Sequence, residues 1–500
     1  MTAQPTKPTR FATRIVDSLT VGGFLIYAIA APHSIAISWV GISLLLLGWI
    51  VRTAITRRLG IQRTAMDLPL LFFVAWTVIS SLLSIEPRDS LPKLINVSTF
   101  LFFYLTRSLL NRGLAIVVTG VLIVSAAAGV LWGAGELILG RGVIVSALAA
   151  DSPLRASTAL TEGDVIWRVN NHRVSSVDEI NAAIKTCGGC ALKLSVISRG
   201  EHVEWTAAAP FQQMNESNPS GIVGGGRTHR FRASGWTRHY ETFAEMLQII
   251  AQLGLGLAIA LWKRRKDADA GTRNRTRAVL ATLGFVVVAA GIPLTAMRST
   301  LAAFAVGALV IGWRMATSGR QKLIAAAAIA FIVLIGGVFV WRTRESGALA
   351  LQDPSATLRL QVAAIAARRV LLHPILGHGM DAMHEHWNEW GFPGRDMLDA
   401  HSTPIQIAFD RGLPALAFWV WLMFSFWRFA NQTERATART SDAAAHGLSI
   451  GFVGAVAGFL ASSLVNYNFG DSEVALLLWW MMGAAVVISK TGMSRVNSDE

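Results

Sequence analysis

RLQVAAIAARRVLLHPILGHGMDAMHEHWNEWGFPGRDMLDAHSTPIQIAFDRG, Arg359–Gly412, is the longest polar stretch rich in His and Arg, and it lies between two strongly apolar segments. Leu360, Ala363, Ala364, Ala367 and Val370–Leu371 fall at helical spacing and leave Arg359, Arg368 and Arg369 on other faces. His373-Pro374 stops that helix, because the residue before a proline is pushed out of the α region. Gly377 and Gly379 permit a tight loop, and a second short helix is expected from Ser402, ended by Gly412. The stretch reads as an amphipathic lid lying on a membrane face.

Working outward, the flanks are apolar. Hydrophobic residues make up 53% of the 500 residues and charged residues 15%. Runs of about 20 apolar residues recur along the whole length, the signature of helices that cross a bilayer. About twelve spans are expected: Ser18–Ala31, Ile37–Val51, Leu68–Ser84, Leu94–Leu110, Leu114–Leu139, Phe243–Trp262, Ala278–Ala296, Leu301–Trp313, Leu323–Trp341, Leu413–Phe429, Leu448–Val465 and Val474–Ser489. Ala28-Ile29-Ala30 resembles a signal-peptidase site, but a second span follows at once, so the first helix is expected to stay.

The net charge of +14 points to cytoplasmic loops rather than to nucleic acid. With the N-terminus inside, the connections Arg52–Arg63, Arg107–Arg112, Lys263–Arg277, Arg314–Lys322 and Arg428–Arg439 are all short, basic and cytoplasmic. The C-terminus is then cytoplasmic too. The long connections Gly140–His239 and Arg342–Gly412 face outward, as do Arg298 and the turn NYNFGDSE.

Arg232, Arg298 and Arg359 break this charge pattern at or near membrane depth. An arginine there needs a partner, and its planar fork matches phosphate oxygens in pairs. A lipid diphosphate at the membrane surface would suit all three; snorkelling or helix capping is the plainer reading of any one. His401 is the candidate general base, since a neutral imidazole can take a proton from a sugar hydroxyl. Five of the eleven histidines fall in this loop, which raises a metal site as a competing chemistry. His384 and His386 are two apart, however, and no His-Glu-x-x-His spacing occurs, so neither metal nor other cofactor is expected.

On these residues the chain resembles the O-antigen ligase family, whose signature is shared with O-antigen polymerases and some protein O-oligosaccharyltransferases. That pattern is an Arg before an apolar helix, Pro and two hydrophobic residues before Gly-x-Gly, His-Asn or His-Ser, and a closing Gly motif. It matches Arg359, Pro374-Ile375-Leu376-Gly377-His378-Gly379, His401-Ser402 and Gly412-Leu413-Pro414-Ala415. Arg298 in AMRSTLAAF resembles the family's Ser-Arg motif, with Met297 in place of Ser, and Arg232-Ala233-Ser234-Gly235 resembles the segment before its sixth helix. The resemblance implies a GT-C-like, all-α polytopic enzyme of the bacterial inner membrane. Its donor would be a glycan on undecaprenyl diphosphate, bound at the periplasmic face among membrane lipids. Arg298 and Arg359 would hold the diphosphate, with Arg232 and His378 assisting. His401 would activate an acceptor hydroxyl on lipid A-core, glycan or protein, which attacks with inversion and without metal. Ser402, where many members have Asn, departs from the pattern.

The chain accordingly divides into membrane helices over 1–139, an insertion over 140–212, a linker over 213–239, helices over 240–341, the lid over 342–412, and helices with a tail over 413–500. The insertion resembles a bacterial PDZ domain. It carries Ser152-Pro153, Gly163-Asp164-Val165-Ile166, Asn170-Asn171, a helix over Ser176–Lys185 and a hairpin around Arg199-Gly200. Alternation predicts strands at Val143–Ser146, Asp164–Val169, Leu192–Ser198 and Val203–Ala207, a small α+β unit. PDZ grooves take a peptide as an added strand. The usual first strand would here fall inside the fifth span, so peptide binding to a protein partner and a scaffold role both stay open. Gly224-Gly225-Gly226 reads as a flexible joint, and Cys187 and Cys190 as a disulfide staple or free thiols. A transporter with an outward sensor domain is the other function class. It would place polar groups at the midplane in repeated, broken helices, whereas the charges here lie at the outer surface.

Overall fold

The computed structural model describes residues 7–60, 63–198, 201–207, 217–229, 232–237, 239–264, 271–343, 354–394 and 398–496. Arg199-Gly200, the middle of the basic cluster (265–270) and parts of the expected lid (344–353 and 395–397) lie outside the described residues. The chain forms two compact units, one of residues 1–130 with 234–500 and one of residues 131–233.

The larger unit is helical. Its elements begin with α1 (Lys7–Ala30), α2 (Ile35–Thr56), α3 (Asp67–Leu83), α4 (Pro87–Val97), α5 (Leu101–Leu109) and α6 (Arg112–Leu139), whose last turns enter the smaller unit. After the smaller unit, with α7 (Pro153–Ser157) and α8 (Val177–Cys187), come α9 (Tyr240–Lys263), α10 (Gly271–Leu294), α11 (Arg298–Met315) and α12 (Gly319–Thr343). Then follow α13 (Pro354–Val370), α14 (Ala382–Glu385), α15 (Thr403–Ala438), α16 (Ala443–Ser463) and α17 (Ser472–Val496). Among the described residues, nine helices are long and apolar enough to cross a membrane: α1, α2, α6, α9, α10, α12, α15, α16 and α17. The chain is a polytopic membrane protein. Of the other three expected spans, Leu68–Ser84 is the 17-residue α3 and Leu301–Trp313 lies in the 18-residue α11. Leu94–Leu110 is broken into α4, a 3-10 turn at Ser98–Phe100, and α5. Ser98 and Thr99 donate their hydroxyls to the carbonyls of Ile95 and Asn96, which competes with a regular helical ladder at that point.

At the lid one expectation holds and another changes. Gly412 does end the short helix that starts after Ser402: its φ 79° and ψ 171° are not helical, and a second helix begins directly after it, so that α15 is two helices joined at a kink. A Cβ at this position would run into the Ile375 carbonyl, so glycine is required on both counts. The buried face of α13 is Val362, Ala366 and Val370, while Leu360 and Leu371 are 72% and 75% exposed. Spacing alone marks Leu360 as apolar, but the partners decide: Met383, Trp387, Phe392 and Phe409 form the small core on which α13 packs.

α9 runs through the centre of the larger unit and is buried along nearly its whole length. It lies close against α16 because Gly256 meets the Gly447 carbonyl and the Gly451 backbone, the small-residue contact that lets membrane helices approach. Down α9, Glu241, Glu245, Gln248 and Gln252 recur at helical spacing, and the last three are buried. The basic connections gather by pairing. Arg107 binds Asp67 at 2.8 Å, Arg112 binds Asp442, Arg314 binds Glu434 at 3.3 Å, and Arg264 donates to the Thr440 carbonyl.

The smaller unit is a sheet of β1 (Arg141–Leu148), β2 (Val165–Val169), β3 (His172–Arg173), β4 (Leu192–Ser198), β5 (Glu201–Ala207) and β6 (Ile222–Thr228). The order is β5-β4-β2-β1-β6, every pairing antiparallel, with β3 on β2. Asn170 and Asn171 take left-handed φ of 47° and 65° at the β2–β3 turn, as a tight hairpin demands. Ser176 caps α8, Gly188 closes it at φ 60°, and Ile180 and Ile184 pack into a core with Val143, Val145 and Leu194. Cys187 and Cys190 are joined by a disulfide. The expected Gly224–Gly226 joint is instead the middle of β6, paired with β1 residue by residue. Glycine suits that strand because a Cβ on Gly225 would lie 2.9 Å from both Val143 Cγ1 and Val177 Cγ2. Gly225→Val is therefore expected to destabilise the smaller unit by about 1–3 kcal/mol through overpacking, and Gly226→Ala, which faces open space, to leave it nearly unchanged. Limited proteolysis of the purified protein across a temperature ramp reads the difference.

Candidate active site

Three segments of the larger unit converge. α13 supplies Arg359, the first turn of α9 supplies Tyr240 and Glu241, and the loop before α15 supplies Asp399 and His401. Arg359 Nη2 donates to Glu241 Oε1 at 2.9 Å, and Tyr240 donates its hydroxyl to the same oxygen at 3.1 Å. Glu241 is favoured where it stands, since a carboxylate in the first turn of a helix meets the positive end of the helix dipole. His401 holds a left-handed φ of 48°, a conformation that costs about 1–3 kcal/mol for a residue with a side chain and persists only when its surroundings fix it. Asp399 helps to fix it: its Oδ1 accepts the His401 backbone N–H at 2.7 Å and faces the ring Nδ1 at 3.5 Å. The other ring nitrogen, Nε2, is buried with no hydrogen-bond partner.

The electrostatics follow from this packing. Burial, reinforced by the Arg359 charge and opposed by Glu241, pushes His401 down to about 4. Burial works against the charge of Arg359 as well, but Glu241 outweighs it and the guanidinium is held above its ordinary value. The ion pair thus stays charged at neutral pH while the imidazole stays neutral. Folded His401 gives up its proton more readily than the unfolded residue at 6.5. Its contribution to stability is complete above about 6.5 and is lost as pH falls toward about 4.

Beneath these groups lies a polar node. The Asn466 side chain donates to Glu245 Oε1 at 3.1 Å, to Ser299 Oγ at 3.1 Å and to Ser462 Oγ at 2.9 Å. The Asn466 backbone carbonyl accepts the Thr403 N–H at 3.1 Å and the Thr403 hydroxyl at 3.0 Å. Ser299 follows Arg298 at the start of α11, and Thr403 is two residues beyond His401. One asparagine therefore ties the backbone that carries Arg298 to the backbone that carries His401, and both to α9. Thr242, next to Glu241, donates to Asp471 in the same turn at 2.5 Å.

The residues singled out from sequence are not all equivalent. Arg359 and His401 meet around Glu241, and Arg298 is half-buried and reaches the node through its neighbour Ser299. His378 is 1% exposed, stacked on Phe409 at 4.5 Å, and bonded through Nε2 to the Arg369 carbonyl at 3.0 Å. Burial pushes it down to about 4, and its ring packs against Phe409 and Trp390. Arg232 is half-buried and belongs to the smaller unit. Sequence reasoning missed Glu241, Glu245, Asp399 and Asn466. The recurrence of Glu241, Glu245, Gln248 and Gln252 along an otherwise apolar span was the available signal for the first two.

Residues 283–420 match the family model described as O-antigen ligase. No curated protein matches the chain. The matched segment carries Arg298, Arg359 and His401, and it supports an O-antigen ligase or polymerase type of function in a multi-pass membrane protein. Glu241, Glu245 and Asn466 lie outside it. Asn466→Ala leaves Glu245 and Ser299 without their shared donor, a loss of about 1–3 kcal/mol. It is expected to lower the unfolding temperature of the purified protein measurably while the protein still reaches the membrane.

Proposed function

We propose that the chain is a membrane glycosyltransferase of the O-antigen ligase and polymerase type, moving a glycan from a lipid diphosphate carrier to an acceptor hydroxyl. One observation carries the reading: His401, with a buried and unpartnered Nε2 and within reach of the Arg359 charge, lies in the segment that matches the O-antigen ligase family. In this reading the carrier is undecaprenyl diphosphate, and Arg359 and Arg298 bind its oxygens. Acceptors within the class are lipid A-core, a growing glycan, or a protein Ser or Thr.

The acceptor oxygen attacks the anomeric carbon from the face opposite the diphosphate. A carbon–oxygen bond forms to the acceptor, and the bond to the phosphate oxygen breaks with inversion. The leaving diphosphate takes the electron pair, stabilised by guanidinium groups already in place. His401 Nε2 takes the hydroxyl proton, while Asp399 on the Nδ1 side orients the ring, as a carboxylate orients other catalytic histidines. A base at about 4 is weak, but the first cause after burial is the Arg359 charge. A bound diphosphate offsets that charge, so donor binding raises the basicity of His401 when it is needed.

The positive-inside pattern supports a site outside the cytoplasm, with both termini inside. The smaller unit is PDZ-like in its strand and helix sequence, and a scaffold role is favoured, because β6 already occupies the free edge of β1. The test is complementation with His401→Ala, Arg298→Ala and Arg359→Ala at normal protein level. Loss of surface glycan with accumulation of lipid-diphosphate-linked donor is expected, at least about 100-fold down for His401→Ala. Normal glycan from all three variants removes the mechanism.

A further inference from the structure

A second feature of the larger unit is unused by this chemistry. A cavity of about 160 Å³ lies among α3, α4, α15, α17 and the Asn466–Asp471 turn. A cavity of about 150 Å³ holds one benzene, so this one can seat the six-membered ring of a sugar only with its substituents reaching into the mouth. Its mouth carries Lys93, which is ion-paired to Asp381 at 2.8 Å, and the exposed Leu398. Its inner wall carries Arg411, only 6% exposed, which sits 5.8 Å from the Phe73 ring, donates through Nη2 to the Met380 sulfur at 3.1 Å, bonds to the Tyr467 hydroxyl and keeps a buried Nε with no hydrogen-bond partner. A buried guanidinium with an unused donor, facing an open space at membrane depth, calls for a ligand.

The lining says which kind. Arg411 is next to Asp410, and Lys93 has Asp381, so positive and negative groups balance and no anion is demanded. Donors and acceptors stand side by side, which suits hydroxyl groups that both give and accept hydrogen bonds. Tyr467 is pushed up to about 12 by burial, so its phenol keeps its proton and can donate. Phe469 and Trp479, 5.8 Å apart and edge to face, offer apolar surfaces for the carbon face of a ring. The wall is also tied to the catalytic loop, since Gln406 accepts the Ala400 N–H at 2.7 Å and donates to Asp410 at 2.8 Å.

We propose that this cavity is a subsite for one neutral pyranose ring of the glycan, adjacent to the ring that reacts at His401. The subsite rests on the glycosyltransferase reading for its purpose, but its occupancy can be measured apart from turnover. It makes Arg411 and Tyr467 specificity-determining residues that read ring hydroxyls.

The experiment is saturation-transfer NMR on the full chain in detergent, with methyl α-glucopyranoside as probe and methyl glucuronoside and cyclohexanol as comparators. Ala475→Phe fills the cavity, and Tyr467→Phe removes one hydroxyl while keeping the ring. Saturation of the neutral sugar is expected in the wild type, at least about 10-fold weaker in Ala475→Phe and reduced in Tyr467→Phe. Retention of a lipid diphosphate is expected to be the same in all three proteins. Preference for the glucuronoside would overturn the neutral-ring assignment. Absence of sugar saturation in the wild type, or saturation that Ala475→Phe leaves intact, would overturn the subsite. If His401→Ala abolishes transfer while Ala475→Phe leaves saturation intact, the subsite alone falls. If His401→Ala transfers normally, the catalytic reading falls whatever the sugar does.

Discussion

The ion pair between Arg359 and Glu241 is the contact on which the rest of the site depends. It joins α13, which lies outside the spans, to the first turn of α9, a deeply buried span. A partly buried pair gains little net stability, because desolvation offsets much of the attraction. What it supplies is position. Arg359 holds a fixed positive charge beside His401, and Glu241 keeps that charge from being an uncompensated cost. The same geometry explains why the imidazole is neutral and poised at neutral pH, and why an incoming anion would change its basicity.

The second support is the Asn466 node. A membrane span cannot leave polar groups unsatisfied, so Glu245, buried on α9, must find donors, and it finds them in Ser462 and Asn466. Those bonds also reach Ser299 and Thr403. A requirement of burial thereby fixes the relative places of the two chain segments that carry Arg298 and His401. Glycines at the α9–α16 contact complete the arrangement by letting the helices approach closely enough for these short side chains to meet.

Much of this was legible in the sequence, and the failures have identifiable causes. Membrane spans are written in long apolar runs, so α2, α9 and α16 fall within a few residues of expectation. The motif residues Arg359 and His401 stood out because charge near an apolar surface is rare. Leu94–Leu110 was misread as one helix because apolarity does not reveal that Ser98 and Thr99 turn their hydroxyls onto the chain. The glycine run at 224–226 was misread as a joint because local composition cannot show that β1 offers an edge to pair with. Spacing grouped Leu360 with the apolar face of α13, yet Val362, Ala366 and Val370 are the buried residues, because the partners of that helix, Met383, Trp387, Phe392 and Phe409, lie farther along the chain. Glu241 and Asn466 were missed for the same reason: their importance is a property of contacts across more than 60 residues of chain.

The central claim is that burial and Arg359 hold His401 neutral, with Glu241 balancing the guanidinium. A carbon-13 NMR titration of labelled histidines in the full chain, with His401 assigned by its loss in His401→Gln, measures this directly. The account predicts that His401 stays neutral through pH 6 and titrates near about 4 in the absence of donor. It also predicts that His401 moves upward when a lipid diphosphate is bound. Titration near the ordinary 6.5, unmoved by the diphosphate, would mean that the ring is neither buried beside Arg359 nor coupled to a diphosphate site, and would contradict the account.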